Sequence, residues 1–284
     1  MSIKSKIEWT DATWNPVTGC TKVSPGCKNC YAETFSERFR GVKNHPFEKG
    51  FDLRLWNERL YLPLKWKNSK RVFVNSMSDL FHVGVSDDYI RKVFDVMCAA
   101  NHHIFQILTK RSSRLREWTR CNYLFNGEKN SNKELLPSNI WLGVSVENKD
   151  YISRINDLQK APAPIRFISF EPLIGPINLN PSLLRGIHWI IVGGESGPRA
   201  RLMRPEWVNS IYDQCQKANV PFFFKQWGMY NQEGEKMGKK AAGRIFLGRT
   251  WDNMPRITKF NFQVIKEELT NVSNRHKHTI STSQ

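Results

Sequence analysis

A chain of 284 residues, of which 40% are hydrophobic and 12% aromatic, is long enough to bury a sizeable core, and a length of this order fits one α/β barrel. It has no uninterrupted apolar run of about 18 residues and no apolar signal core near its start, so neither membrane insertion nor secretion is expected. The expected location is a reducing cytoplasm. The formal charge of +17, from 43 Lys and Arg against 26 Asp and Glu, predicts a polyanionic partner such as nucleic acid or a nucleotide.

Seven short runs rich in β-branched and aromatic residues alternate with helical patterns, which is typical of repeated βα units around a parallel sheet. Several of these runs are continuously apolar, as expected of strands covered on both faces. The predicted fold class is α/β, a partial or full TIM-like (β/α) barrel of six or seven parallel strands. The strands are predicted at Thr13–Val17, Val72–Ser76, Ile104–Leu108, Ile140–Val144, Arg166–Ser169, Trp189–Val192 and Phe222–Lys225.

Helical patterns lie between these strands. The run Asp87–Ala99 opens with two carboxylates, which suits a helix N-terminus, and Pro205–Lys217 has proline in its first turn. Three further helices are predicted at Tyr31–Arg40, Ser112–Thr119 and Asp150–Lys160.

The predicted domain organisation is a single barrel over residues 1–254, with an aromatic-rich insertion at about 41–70 and a polar loop at 122–137. After residue 254 the apolar pattern fades, so the basic segment 255–284 is predicted to be a flexible tail.

Polar residues follow each predicted strand. In parallel barrels, ligand and catalytic groups lie at the carboxyl edge of the strands, so we expect one edge to concentrate the chemistry; the alternative is that strands end in polar residues simply because the chain leaves the core there. The residues concerned are Asn15, Asn75, Ser76, Asp79, Thr109, Lys110, Arg111, Ser145, Glu147, Glu171, Gly193, Gly194, Glu195, Lys225, Gln226 and Trp227.

Three cysteines, Cys20, Cys27 and Cys30, lie within eleven residues, in the loop after the first predicted strand. Three thiolates held in this way can ligate a [4Fe–4S] cluster and leave one iron open for a small molecule. A structural zinc ion normally requires four ligands, so zinc is the alternative if His45 or His82 completes the set.

The remaining cysteines, Cys98, Cys121 and Cys215, are scattered along the chain and are predicted to be packing residues. Trp9, Trp14, Trp56 and Trp66 are also predicted to be packing residues.

The three-cysteine motif after the first strand of a barrel resembles the radical S-adenosylmethionine superfamily. The order of FVNSMSD, QILTKR, LGVSVE and FEPLIGP is similar in particular to its spore photoproduct lyase branch. The segments IEWTDATWNPVTGC, FDLRLWNERL, WLGVSVEN, VGGESGP and FFFKQWG resemble a phage and bacterial family of unknown function with the same cysteine signature. The resemblance implies a cluster whose open iron binds the cofactor, and an electron transfer that yields a 5′-deoxyadenosyl radical.

The resemblance also implies cofactor-binding residues. The superfamily's Gly-Gly-Glu segment follows the second strand, where this chain has Ser76-Met77-Ser78-Asp79, while Gly193-Gly194-Glu195 follows the sixth. The cysteine spacing departs as well, with six and then two intervening residues instead of three and two. The expected contacts to S-adenosylmethionine are Ser76, Ser78, Asp79, Ser145, Glu147 (or Glu171), Gly193, Gly194 and Glu195. Candidate catalytic residues are Lys110, Glu171 and Lys225.

The run VGGESGPRAR has a second interpretation, since its backbone amides and basic side chains could hold a phosphate. The alternative is a turn at a strand end that requires glycine.

Basic residues cluster between Lys110 and Lys133, where seven Lys or Arg accompany two Glu and the aromatic residues Trp118, Tyr123 and Phe125. Such a segment suits phosphate contact with base stacking; the alternative is a solvated helix face with Trp118 in the core. A second basic stretch spans residues 236–249. The expected nucleic-acid contacts are Lys110, Arg111, Arg114, Arg199, Arg201, Lys239 and Lys240.

The function predicted from these features is that of a radical S-adenosylmethionine enzyme acting on a nucleic acid or nucleotide, in repair or modification, within a bacterial or phage-infected cytoplasm. An electron donor such as a flavodoxin or ferredoxin is the expected protein partner. Two alternatives stay open: a zinc-stabilised nucleic-acid-binding protein without catalysis, and a metal-dependent hydrolase or nuclease. The ligands of that second alternative would be Asp79, Glu147, Glu171 and Glu195.

Overall fold

The computed structural model describes residues 4–124 and 134–255. Over these residues the chain forms a sheet of seven parallel strands arranged in the order β1-β4-β5-β6-β7-β8-β9, so that neighbours in the sheet follow one another along the chain. Two short strands, β2 and β3, pair with each other in an antiparallel arrangement. The strands are β1 Ala12–Trp14, β2 Val17–Thr18, β3 Arg54–Leu55, β4 Arg71–Val74, β5 Ile104–Thr109, β6 Ile140–Ser145, β7 Ile165–Phe170, β8 Trp189–Gly193 and β9 Phe222–Gln226.

The predicted fold class is confirmed: the sheet is a curled half-barrel with helices between its parallel strands. All seven predicted strands belong to it, but the first, predicted at Thr13–Val17, is divided. Its beginning joins the sheet, whereas Val17 pairs with Leu55 in the small antiparallel pair. The division falls at Pro16, which has no N–H to contribute to a strand ladder.

Helices connect successive strands. The predictions at Asp87–Ala99 and Pro205–Lys217 are confirmed at both ends. The predicted helix Asp150–Lys160 is a 3₁₀ turn, Lys149–Tyr151, followed by a shorter α-helix. The helices are α1 Tyr31–Glu37, α2 Asn57–Leu60, α3 Asp87–Ala99, α4 Ser112–Asn122, α5 Ser153–Gln159, α6 Pro181–Leu184, α7 Pro205–Lys217 and α8 Lys239–Ala242.

Segment 41–70, predicted as an insertion, contains β3, α2 and a 3₁₀ helix at Leu62–Lys65. In the predicted loop at 122–137, Tyr123 forms an isolated bridge with Glu134. Residues 125–133 lie outside the described residues, and so does the predicted tail apart from Pro255.

An aromatic cluster fills the lower part of the half-barrel interior. Trp9 precedes β1 and lies within this cluster, with ring-centroid distances of 4.6 Å to Phe73 and 6.1 Å to Trp189. Phe167 and Phe223 complete the same buried group. Because these rings form a floor, the space above them at the carboxyl edge of the strands is closed from below.

The interior rings fit only because β6 has a glycine opposite one of them. A Cβ atom at Gly143 would lie 2.4 Å from the ring of Phe167 on β7. On the far side of the sheet, apolar residues of the strands pack against the helices in a larger core.

The open edge of β9 is covered by the chain that follows α8. Phe224 donates its backbone N–H to the carbonyl of Trp251 at 2.9 Å, and Phe223 forms an antiparallel bridge with Asp252. Over the described parts of the chain, no helix combines the length and apolar character that crossing a membrane requires.

Candidate functional site

A cavity of about 450 Å³ lies at the carboxyl edge of the half-barrel, above the aromatic floor. Cys20, Cys27 and Cys30 all line it. Most of the predicted strand-end residues meet there as well, as parallel strands require. The predicted site residues on its wall are Ser76, Ser78, Asp79, Lys110, Ser145, Glu171, Gly194, Glu195, Lys225 and Lys239. Those not on its wall are Arg111, Arg114, Glu147, Gly193, Arg199, Arg201 and Lys240.

The three thiols are free and partly buried. Cys20 Sγ accepts a hydrogen bond from Arg111 Nη1 at 3.3 Å, and Cys27 Sγ lies 3.8 Å from Ser24 Oγ. Burial raises the pKa of the Cys20 thiol to about 11, with a further contribution from Asp79, and burial also raises the pKa of Cys30. Binding of iron would therefore have to displace protons from these two thiols.

Cys20, Cys27 and Cys30 are the candidate metal donors of this cavity. Within residues 4–124 and 134–255, no three His, Cys, Asp or Glu side chains are grouped closely enough to hold one metal ion. The three thiols nevertheless line one cavity, and thiolates are the ligands that [4Fe–4S] clusters use. The chemistry of three thiols from one loop therefore fits a [4Fe–4S] cluster.

The two histidines considered as zinc ligands are engaged elsewhere. His82 Nε2 lies 2.9 Å from Thr21 Oγ1, and its Nδ1 accepts the backbone N–H of Gly84 at 3.0 Å. The ring of His45 stacks on Phe39 at 3.9 Å. Neither histidine lines the cavity, so the geometry does not favour a zinc site completed by them.

Four carboxylates were candidate metal ligands for a hydrolase, and each forms its own ion pair. Each carboxylate would have to give up or share its cation to bind a metal ion, so this arrangement does not favour a metal-dependent hydrolase. The pairs are Asp79–Arg111 at 3.1 Å, Glu147–Arg154 at 2.9 Å, Glu171–Lys225 at 2.6 Å and Glu195–Arg201 at 2.6 Å.

Glu147 is fully buried, although we predicted it to be a cofactor contact. It accepts hydrogen bonds from Arg154 Nη1 at 2.9 Å and from Ser24 Oγ at 2.7 Å. Its side chain also packs on the cysteine loop, where a Cβ atom at Gly26 would lie 2.3 Å from its Cγ. Glu147 therefore joins the end of β6, helix α5 and the cysteine loop.

Lys225 and Glu171 form an ion pair on the cavity wall. Val192 of β8 pairs with Phe224, but Gly193 pairs with Gln226, so Lys225 is an extra residue in β9. Such a bulge re-aims side chains, and here both Lys225 and Gln226 line the cavity. Of the three candidate catalytic residues, this pair lies side by side, and Lys110 lines the same cavity.

The glycine-rich run after β8 is a close-packed turn. A Cβ atom at Gly194 would lie 1.9 Å from the backbone oxygen of Trp227, and the Gly194 N–H is already donated to Gln226 O at 2.9 Å. This favours the turn that requires glycine over the phosphate-binding loop.

Six of the seven predicted nucleic-acid contacts fall into two groups, and the seventh, Lys110, is half-buried on the cavity wall. Arg111, Arg114 and Arg201 are engaged in internal contacts: Arg114, for example, donates to Val85 O at 2.6 Å and pairs with Asp87. The exposed residues are Arg199, Lys239 and Lys240.

Base stacking by Trp118 is a wrong prediction, because its side chain is buried against Phe94 with a centroid distance of 4.6 Å. The amphipathic spacing of α4 turns this residue to the core. Tyr123 is half-buried against the same Phe94 ring at 5.8 Å, and Phe125 lies outside the described residues.

The packing roles are confirmed for Trp9, Trp14 and Trp56, which are buried, and Trp66 packs partly buried against the core. Among the remaining cysteines, Cys215 is buried and Cys98 packs against the core. Packing was a wrong prediction for Cys121, which is exposed near the end of α4.

Sequence reasoning missed several residues of the site. Ser169, the penultimate residue of β7, lines the cavity, and its buried hydroxyl has no hydrogen-bond partner in the described structure. Ser24 and Asn29 anchor the cysteine loop to distant carboxylates. A signal existed for Asn29, since it directly precedes Cys30 in the predicted ligand loop.

The fold and the site define an α/β half-barrel with a cysteine-lined cavity at the carboxyl edge of its strands. A family model described as "Protein of unknown function (DUF5131)" matches residues 4–255, so the chain belongs to that family. No curated protein sequence matches it.

Three solved structures of spore photoproduct lyase are similar to this chain. A mutant with bound AdoMet and dinucleoside spore photoproduct has a TM-score of 0.37 and 12% identity, covering 64% of this chain and 55% of that one. A second mutant has a TM-score of 0.43 and 9% identity, covering 74% and 75% of the two chains. A complex with dinucleoside spore photoproduct has a TM-score of 0.39 and 11% identity, covering 72% and 60%. The chain thus spans little more than half the length of the first of these proteins.

Proposed function

We propose that this protein is a radical S-adenosylmethionine enzyme that acts on a nucleic acid or a nucleotide. The observation that carries the proposal is the position of the three cysteine thiols. They come from a single loop and line one cavity at the carboxyl edge of the half-barrel, the edge at which barrel enzymes carry their chemistry.

In this proposal Cys20, Cys27 and Cys30 hold three irons of a [4Fe–4S] cluster. When bound, the reduced cluster would supply one electron to the sulfonium of S-adenosylmethionine, whose S–C5′ bond would break to release methionine and the 5′-deoxyadenosyl radical that removes a hydrogen atom from the substrate. Polar groups that line the cavity with the cysteines, including Ser76 and Ser78, would bind the cofactor's polar end in this proposal. The aromatic floor closes the cavity from below.

Charges at the cavity support an anionic substrate. Five lysines line the wall, against the three carboxylates Asp79, Glu171 and Glu195. Three of these lysines, Lys22, Lys110 and Lys239, pair with glutamates that do not line it. Lysine side chains at such a mouth attract phosphate groups, which favours a nucleotide or a nucleic acid strand. The free thiols suit a reducing cytoplasm, where a small electron-transfer protein such as a flavodoxin or ferredoxin would reduce the cluster.

Anaerobic reconstitution with iron and sulfide tests the proposal. The wild-type protein should be brown, absorb near 400 nm, bind about four irons per chain and cleave S-adenosylmethionine reductively to 5′-deoxyadenosine. Cys27→Ser should lose the absorbance and the cleavage. The matched control is Cys121→Ser, which removes an exposed thiol outside the cavity and should behave as the wild type.

Other outcomes would support the alternatives. A colourless protein with one tightly bound zinc per chain would contradict the cluster. A nuclease activity that survives Cys27→Ser but not Glu171→Gln would favour a hydrolase.

A further inference from the structure

A three-residue contact joins the second half of the cysteine loop to the loop after β8. Asn29 Nδ2 donates to Glu195 Oε2 at 3.0 Å and to the carbonyl of Arg199 at 2.8 Å. Arg201 donates to Glu195 from its backbone N–H, from Nε at 2.9 Å and from Nη2 at 2.6 Å. The same Nη2 also donates to the carbonyl of Pro25 at 3.0 Å.

These contacts lie on both sides of one cysteine. Pro25 precedes Cys27 by two residues, and Asn29 follows Cys27 by two and directly precedes Cys30. Two points of attachment so close to the thiols restrict where both sulfur atoms can lie. The first cysteine, Cys20, is held separately, through Arg111.

The carboxylate of Glu195 is fully engaged by this arrangement. Its side chain is only 5% exposed, and the guanidinium of Arg201 neutralises its charge. Hydrogen bonds from Arg201 and Asn29 hold the pKa of Glu195 below its ordinary value against the opposing effect of burial. An ammonium group of a cofactor would therefore gain little from this carboxylate.

We propose that Asn29, Glu195 and Arg201 form a clamp that positions the Cys27–Cys30 turn for cluster binding. Glu195 is then a positioning residue rather than the contact to S-adenosylmethionine that the sequence predicts, and the clamp holds the turn before any iron is bound. The inference rests on the proposed function for its purpose, although the clamp itself belongs to the metal-free protein.

Alkylation of the metal-free protein tests the clamp directly. Asn29→Ala should let iodoacetamide modify Cys27 and Cys30 about tenfold faster, the factor expected when a hydrogen bond to a charged group is removed. Cys20 should react at its wild-type rate, as measured by peptide mass spectrometry. The matched control is Asn231→Ala, which removes an equivalent hydrogen bond, 2.9 Å long, to Glu235 away from the cavity.

Reconstitution separates positioning from cofactor contact. In Asn29→Ala, iron content and absorbance near 400 nm should fall. The protein that does carry a cluster should keep the wild-type KM for S-adenosylmethionine. A wild-type iron content with a raised KM would assign the site to cofactor binding and overturn the clamp. Unchanged alkylation rates at Cys27 and Cys30 would overturn it as well.

Arg201→Met provides a second variant, because it removes the attachment at Pro25 while leaving Asn29 in place. It should also accelerate alkylation of Cys27, and a wild-type rate there would contradict the clamp. Alkylation needs neither a cluster nor activity. A protein that fails to cleave S-adenosylmethionine but shows the accelerated alkylation therefore contradicts the proposed function and leaves the clamp standing.

Discussion

Glu147 and its neighbours illustrate how strongly a single residue depends on its surroundings. Following strand β6 on the carboxyl edge, this glutamate has the sequence position of a site residue, yet its side chain is fully buried and paired with Arg154, which is itself 5% exposed. A second cation, Lys110 Nζ, lies 3.8 Å from Glu147 Oε1. Removing one partner of such a buried ion pair is strongly destabilising, because the other partner is left as an unpaired buried charge.

We expect Glu147→Ala to lower the free energy of unfolding by about 3–5 kcal/mol, because Arg154 would be left as an unpaired buried charge. Urea denaturation followed by circular dichroism measures this. The control is Glu117→Ala, whose side chain is 66% exposed beside Arg116 and should change stability by less than about 1 kcal/mol. Equal urea midpoints for Glu147→Ala and Glu117→Ala would contradict a stabilising role for the buried pair.

The strands of the half-barrel depend on matched residue sizes between neighbours. β6 and β7 bring Gly143 and Phe167 opposite each other in register, and the ring occupies the space that a side chain on β6 would need. On β9, the bulge at Lys225 shapes the cavity, since it places two successive residues on the cavity wall. Both features come from pairing between strands.

Gly143→Ala should destabilise the protein by about 1–3 kcal/mol, because the added methyl group meets the Phe167 ring in a packed interior. Combining it with Phe167→Leu should cost less than the sum of the two single changes, with a coupling of about 0.5–3 kcal/mol. The measurement is a double-mutant cycle from urea denaturation curves. Strictly additive effects would mean that the two residues do not compete for space.

For the molecule as a whole, the excess of basic residues is not confined to the cavity. A shallow groove at the opposite, amino edge of the sheet is lined by Lys65, Trp66, Lys67 and His102. The carboxyl edge has its own basic residues at the start of α8, Lys239 and Lys240. If the proposed substrate is a nucleic acid strand, lysines beside the cavity should contribute more to its binding than lysines at the amino edge.

The double variant Lys239→Ala, Lys240→Ala should weaken binding of a single-stranded oligonucleotide. It should also reduce the slope of log affinity against log salt concentration by about 0.7 for each phosphate that the protein no longer neutralises. Fluorescence anisotropy over a salt series measures both quantities. Lys65→Ala, Lys67→Ala at the amino edge is the matched control and should leave the slope unchanged; an equal reduction in both variants would indicate diffuse binding over the whole surface.

Much of the fold could be predicted from the sequence. Continuously apolar runs such as RVFVN and WIIVG have a local signal that survives folding, and each became a buried strand at its place in the sheet. The edge of the site could be predicted for the same reason, since parallel strands bring their carboxyl ends together and Ser145 and Glu171 do line the cavity. The division of the first strand at Pro16 was visible in the sequence and was missed.

By itself, then, the sequence determined the sheet, the loop that carries the three cysteines and the edge at which the cavity lies, because each depends on residues close together in the chain. Only the tertiary structure decided which partners the charged side chains of the site contact. Glu195 binds Asn29 of the cysteine loop, and Arg111 donates to Cys20. Such contacts depend on distances between loops that follow different strands, and no local pattern of residues specifies which cation a carboxylate will meet.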